Sequence, residues 1–230
     1  MTNNAEPALT GRSMAQSAGF DIQLEPSVVL VYDQSLVPAR ASKRHHRTSN
    51  HPFRQVGTLD QGVDIVVATG PGAPVAGITI EFLAAFGVQR VVTVGSAGLL
   101  MPGPQNLTAI TRAESDEGTS QHYGGHLTAD PQLTAALTIR FGTDARVTLT
   151  TDAPFRHTPE RLASHRNRAS LVEMECAAIF AAAHHFGLQA ASILVPSDVF
   201  ELSGWRQFES HGGRTGLDDA VAVAMQVLAA

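Results

Sequence analysis

Between residues 63 and 98 the chain alternates β-branched runs with glycine-bearing turns, and one helix-length apolar segment separates the runs. Val63 to Ala68 is the first run, broken by Thr69-Gly70-Pro71-Gly72-Ala73-Pro74. Apolar spacing from Val75 to Phe86 predicts a helix stopped by Gly87. Val88 to Val94 reads as a second buried strand, closed by Gly95-Ser96-Ala97-Gly98. Strands that are apolar throughout are buried on both faces, so helices must cover both sides of the sheet. The same signals recur in strands at Val28 to Tyr32, Leu107 to Thr111, Arg146 to Thr151 and Ala190 to Val195. Further helices are expected from Pro131 to Arg140, behind an Asp130 cap, and from about Leu217 to Ala229. The expected fold is a three-layer α/β/α sandwich with a mixed, mostly parallel central sheet spanning residues 27–230. Residues 1–26 are small and polar without a period, and they are expected to form a flexible N-terminal extension.

Composition narrows the function classes. A chain of 230 residues suits one medium domain with one core. With 43% hydrophobic and 16% charged residues and a net charge of −5, nothing marks a nucleic-acid binder or a disordered chain. The single cysteine, Cys176, excludes an intramolecular disulfide and a cysteine-rich zinc site, and its small apolar neighbours predict a packed thiol. His122 and His126 lack further ligands at metal-site spacing, so no metal and no cofactor are expected. No apolar run approaches the roughly 18 residues of a membrane span. A cytoplasmic protein with a small-molecule partner is the expectation.

The chemistry concentrates at Val172-Glu173-Met174-Glu175-Cys176-Ala177-Ala178-Ile179-Phe180 and, one helix later, at Ile193-Leu194-Val195-Pro196-Ser197-Asp198. Two carboxylates are predicted to open an apolar helix, and a third closes the strand after it. The free N–H groups of a helix N-terminus favour negative charge, which accounts for Glu173 without any ligand. It does not account for Glu175 and Asp198 together, because carboxylates go inside only with partners. Both are therefore read as ligand-facing.

These motifs resemble the nucleoside phosphorylase family of trimeric or hexameric assembly, which includes purine nucleoside phosphorylases, uridine phosphorylases and methylthioadenosine nucleosidases. The resemblance is strong over residues 63 to 200. It implies that Glu175 and Met174 hold the ribose, with Glu173 on the base side. It implies that Asp198 of the Ser-Asp motif is the general acid at a purine, assisted by Arg214, with Arg206 as a competitor. Phe155 matches an aromatic that stacks on the base, and a core phenylalanine is the competing reading. Gly70, Gly95 and Ser96 match glycine loops that contact phosphate and, through Ser96, ribose. The sequence also departs from the family. Thr93 stands where phosphorylases place a phosphate-pairing Arg, and Tyr32-Asp33-Gln34 replaces a Gly-Asp-Pro-x-Arg loop. Threonine cannot offer the bidentate, permanently charged fork of a guanidinium. In the basic segment from Arg40 to Arg54, Arg44 and Arg47 are candidates to reach the phosphate of a neighbouring subunit, and a solvated loop is the alternative. The activity that the resemblance implies is phosphorolysis of a nucleoside, a purine nucleoside by the Glu-Met-Glu and Ser-Asp motifs, by a homo-oligomer (dimer or hexamer). Hydrolysis with water as acceptor and non-catalytic nucleoside binding remain open beside it.

Overall fold

The computed structural model describes residues 7–38, 41–46, 52–59, 61–201, 204–208 and 213–230. In chain order the elements are α1 (Gly11–Ala18), β1 (Ser27–Val31), β2 (Ser42–His46), β3 (Gln55–Thr58), β4 (Val63–Val67), α2 (Ala73–Ala85) and β5 (Arg90–Leu99). They continue with β6 (Thr108–Asp116), α3 (Thr119–His122), α4 (Pro131–Phe141), β7 (Arg146–Thr151), α5 (Pro159–Arg166) and β8 (Leu171–Glu173). The last are α6 (Cys176–Phe186), β9 (Gln189–Glu201), β10 (Gly204–Gln207) and α7 (Gly213–Leu228).

Among the described residues, ten strands form one mixed sheet in the order β10-β9-β6-β7-β8-β5-β1-β4-β3-β2. Its centre is parallel: β1 lies between β4 and β5, and β5 runs beside β9. Alternating side chains of β1 separate the two helical layers. Val28 and Leu30 pack with α2 and α6, whereas Val29 and Val31 pack with α4 and α7. All five β1 residues are buried, and each fully buried Val or Leu contributes roughly 1.5–3 kcal/mol. This is the α/β/α sandwich expected from the apolar runs.

The sheet also closes on itself. Strand β8 pairs antiparallel with the end of β5, and β9 pairs with both β5 and β6. Strands β5, β9, β6, β7 and β8 therefore form a five-membered ring. Closure brings the segment after β8 and the far half of β9 to the carboxyl-terminal end of β5.

Three boundaries differ from expectation, each for a local reason. The Gly95–Gly98 stretch is part of β5 and not a closing loop, because its backbone is laddered to Leu194–Asp198 of β9. Val172 and Glu173 belong to β8, and α6 begins only at Cys176, with Glu175 as its N-cap residue. The third is a correction to the flexible extension. Residues 11–18 form α1, opened by a reciprocal capping box between Thr10 and Ser13 and closed by Gly19 at φ 67°. The Gly11 N–H donates to Glu81 Oε1 of α2 at 2.6 Å, and Ala15 is buried against the same layer. A single buried alanine per turn is too sparse a pattern for periodicity to reveal.

Candidate active site

The cleft at the carboxyl-terminal end of β5 has two lobes that share Pro71, Ser96 and Glu175. One lobe, about 240 Å³, is also lined by Ala97, Gly98, Thr151, Pro154, Val172, Glu173, Met174, Ser197, Asp198 and Phe200. The other, about 260 Å³, adds Tyr32, Asp33, Leu36, Val94, Gly95 and Leu217. Met174, Glu175, Ser96 and Asp198 thus line one cleft.

The two glutamates divide their labour. Glu173 is buried, and both carboxylate oxygens are committed within the protein. Oε1 accepts from Thr150 Oγ1 at 2.5 Å, and Oε2 accepts from the N–H groups of Glu175 and Cys176, each at 2.7 Å. It caps the first turn of α6 and ties it to β7. Burial pushes its pKa up, opposed by the Thr150 hydroxyl and the two backbone donors. Three donors from β7 and the start of α6 favour the capping role for Glu173 over base recognition.

Glu175 is set for a ligand. Its Oε1 accepts from Gly72 N at 2.6 Å and its Oε2 from Met174 N at 3.3 Å. Gly72 has φ 105°, a conformation glycine adopts without penalty, and it precedes α2. The first glycine turn therefore serves the site through a backbone donor to a carboxylate. Burial, and then the neighbouring Glu173, push the Glu175 pKa up to about 7. Cys176 is buried, its thiol pushed well above the usual range by burial, consistent with packing.

Asp198 is positioned by an irregularity in β9. The β5 ladder pairs Ala97 with Pro196 and Gly98 with Asp198, skipping Ser197. A bulge of this kind re-aims the next side chain, and proline, which has no N–H for the ladder, sits beside it. The carboxylate then lies over Gly98, where an added Cβ would be 2.8 Å from Asp198 Oδ2 and 2.7 Å from Phe200 Cε2. Ser197 Oγ donates to Asp198 Oδ1 at 2.5 Å, and Trp205 Nε1 donates to Oδ2 at 2.8 Å. Trp205, on β10, is a site residue that sequence reasoning left without a role. Its signal was a lone tryptophan shortly after the Ser-Asp motif.

Other predicted residues fall elsewhere. Phe155 is 97% exposed, so it does not line the cleft in this chain, where Pro154 does. The reading of Phe155 as a base-stacking ring is corrected accordingly; a short helical turn from Pro154 to Arg156 carries the ring outward. Gly70 lies beside the cleft, and Pro71 and Gly72 supply its contacts. Thr93 is buried, and its hydroxyl donates to Ser192 Oγ at 2.9 Å across β5 and β9. The Cys176 thiol donates to the same oxygen at 3.3 Å. Arg44 lies on β2 and Arg214 in the first turn of α7, but their side chains, like Arg40 and Arg47 entirely, are outside the described residues. Arg206 is exposed on β10, its guanidinium 5.6 Å from the Phe208 ring centre. Among the described residues, no Lys, Arg or His lines either lobe, and no group of His, Cys, Asp and Glu is placed to hold a metal ion. No helix among them is long and apolar enough to cross a membrane.

The loop that carries Pro154 is tied down from behind. Thr151 Oγ1 is 2.9 Å from His157 Nε2, which is itself 3.3 Å from Asp116 Oδ2, and Arg161 pairs with Asp116. Burial lowers the His157 pKa, with Asp116 opposing.

The sequence profile of the phosphorylase superfamily matches residues 33–215. A guanosine phosphorylase of Halorubrum lacusprofundi is 29% identical over 156 residues, covering 63% of this chain and 65% of that protein. The chain thus spans just under two thirds of that relative's length. Among solved structures, purine nucleoside phosphorylase from Toxoplasma gondii, in complex with immucillin-H, superposes with a TM-score of 0.72 at 19% identity, covering 90% of each chain. AMP nucleosidase from Bacteroides thetaiotaomicron gives 0.73 at 16% identity, covering 95% of this chain and 98% of that one. Uridine phosphorylase from Vibrio fischeri gives 0.68 at 21% identity, covering 90% and 92%.

Proposed function

The chain belongs to the phosphorylase superfamily, and from that premise we propose that it is a nucleoside phosphorylase that cleaves the N-glycosidic bond of a purine nucleoside. The observation that carries this reading is the meeting of Met174, Glu175 and Asp198 around one cavity of nucleoside-fragment size. Glu175 accepts a hydrogen bond from a ribose hydroxyl, and Met174 packs against the sugar. Asp198 delivers a proton to the departing purine, which takes the electrons of the broken C–N bond. Ser197 and Trp205 hold the Asp198 carboxyl in place through its two oxygens. The ribosyl cation that develops is captured by an acceptor in the adjoining lobe, beside Gly95 and Ser96. The guanosine phosphorylase relative agrees with phosphate as that acceptor.

Water as the acceptor is the second reading. It is favoured by the lining of the acceptor lobe, where the described residues include the carboxyl groups of Asp33 and Glu175 and no cation. Phosphorolysis requires a cation from outside that lining. In our reading Arg214, or Arg44 or Arg47 of a neighbouring subunit in a homo-oligomer (dimer or hexamer), supplies it.

The test is incubation with guanosine, inosine, adenosine and uridine, with and without phosphate, while ribose 1-phosphate and free ribose are measured. Phosphate-dependent ribose 1-phosphate from the purine nucleosides supports phosphorolysis, and phosphate-independent ribose supports hydrolysis. Release of no base from any of them would sink both.

A further inference from the structure

Among the described residues, one polar atom at the cleft has no partner. Tyr32 follows β1, and its side chain continues the Val28 and Leu30 face, packing against the layer formed by α2 and α6. The ring lines the acceptor lobe, yet the hydroxyl is buried and makes no hydrogen bond. Buried hydroxyls are almost always bonded, so an orphan of this kind in a binding cleft points to something that arrives. Burial pushes the phenol pKa well up, and the charges of Glu175, Cys176 and Glu173 add to that, Glu175 the most among them. The phenol is therefore a fixed neutral donor beside the Glu175 carboxyl.

Glu175 offers the opposite capacity. Each of its oxygens takes one backbone N–H, and a carboxylate oxygen has room for a second donor. One donor and one acceptor at the same lobe match a group that both accepts and donates. A hydroxyl does both and brings no charge, whereas a phosphate, although its P–OH can donate, sets its anionic oxygens against the carboxyl groups of Asp33 and Glu175.

We propose that Tyr32 and Glu175 together read one hydroxyl of the ribose, with the Tyr32 phenol donating to it and Glu175 accepting from it. The inference rests on the nucleoside reading given above and deepens it. Tyr32 is then a specificity-determining residue. A site whose buried polar groups are paired only by the correct ligand rejects the analogue lacking that group, because the analogue leaves them unpaired. Ribonucleosides are favoured over their deoxy counterparts, and the phenol carries part of the preference.

The experiment compares kcat/KM for guanosine, 2′-deoxyguanosine and 3′-deoxyguanosine between the parent protein and Tyr32→Phe. Phenylalanine removes only the unpartnered oxygen, so the variant should melt at the parent temperature or slightly above it. The expected result is a loss of about 10- to 100-fold on guanosine, the range of one hydrogen bond to a charged or buried group, with a much smaller loss on one of the two deoxynucleosides. The ribo-to-deoxy ratio for that position should collapse by the same factor. An unchanged ratio at both positions would overturn the inference, as would a fall in melting temperature showing that the phenol serves the fold. If the parent cleaves no nucleoside, binding of the same three compounds to both proteins is measured by calorimetry. Binding of guanosine that Tyr32→Phe weakens selectively supports the hydroxyl reading without the activity, and absence of binding refutes both.

Discussion

Gly98→Ala tests how Asp198 is placed. The new Cβ would lie 2.7 Å from Phe200 Cε2 and 2.8 Å from Asp198 Oδ2, both shorter than side-chain contacts tolerate. Gly98 lies in a strand outside the left-handed region, so the substitution carries no backbone penalty and the contacts alone decide. Relief requires the carboxylate to move by roughly half an ångström or more, against its bonds to Ser197 Oγ and Trp205 Nε1. Displacements near 1 Å in a reacting group cost about 10²-fold in rate, and general acid catalysis in total contributes about 10²- to 10⁴-fold. The expected result is a loss of about 10²-fold in kcat for guanosine, with a smaller change in KM. Overpacking of this kind costs about 1–3 kcal/mol, so the melting temperature should fall by several degrees. Steady-state kinetics and thermal unfolding read both. Full activity with an unchanged melting temperature would refute the close approach of Asp198 to Gly98.

Three further outcomes are expected. Because the Glu175 pKa is raised from the usual 4.5 to about 7, the folded protein holds that proton more tightly than the unfolded chain does. Its stabilising contribution is complete below pH 4.5 and is lost as pH rises through 7, on the order of 3 kcal/mol; Glu175→Gln should flatten the decline in melting temperature across that window, and kcat/KM should rise through pH 7 as the carboxylate becomes able to accept. Glu173→Gln replaces an acceptor of three hydrogen bonds with a group that is half donor, so denaturant unfolding should show a loss of about 1–3 kcal/mol. Thr93→Arg should destabilise the protein by about 3 kcal/mol or more and leave phosphate affinity, measured by calorimetry, unimproved, because a charge would enter the packed contact with Ser192 and Cys176.

What the sequence could disclose depended on whether the cause was local. The buried β1 and the capped α4 were legible because alternating burial and an Asp130 cap are written in adjacent residues. Cys176 was legible as packing for the same reason. The direction of the Gly95–Gly98 stretch was not, since its pairing partner lies about a hundred residues away in β9. Phe155 shows the limit from the other side: a motif match can align a ring with a role, but one turn of 3₁₀ helix places it in solvent. Thr93 combines both effects. Sequence correctly marks it as lacking a guanidinium, yet only the fold shows that its hydroxyl is occupied by Ser192 and absent from the cleft lining. The same comparison gives Tyr32 its weight. In the sequence it was merely a residue at the end of an apolar run; in the fold its hydroxyl stands buried and unpaired beside a carboxylate that can still accept. The departure from a glycine loop after β1 therefore places a neutral donor in the cleft, so the phosphate of our reading has to be held on the Gly95 and Ser96 side of the lobe, with a cation from outside that lining.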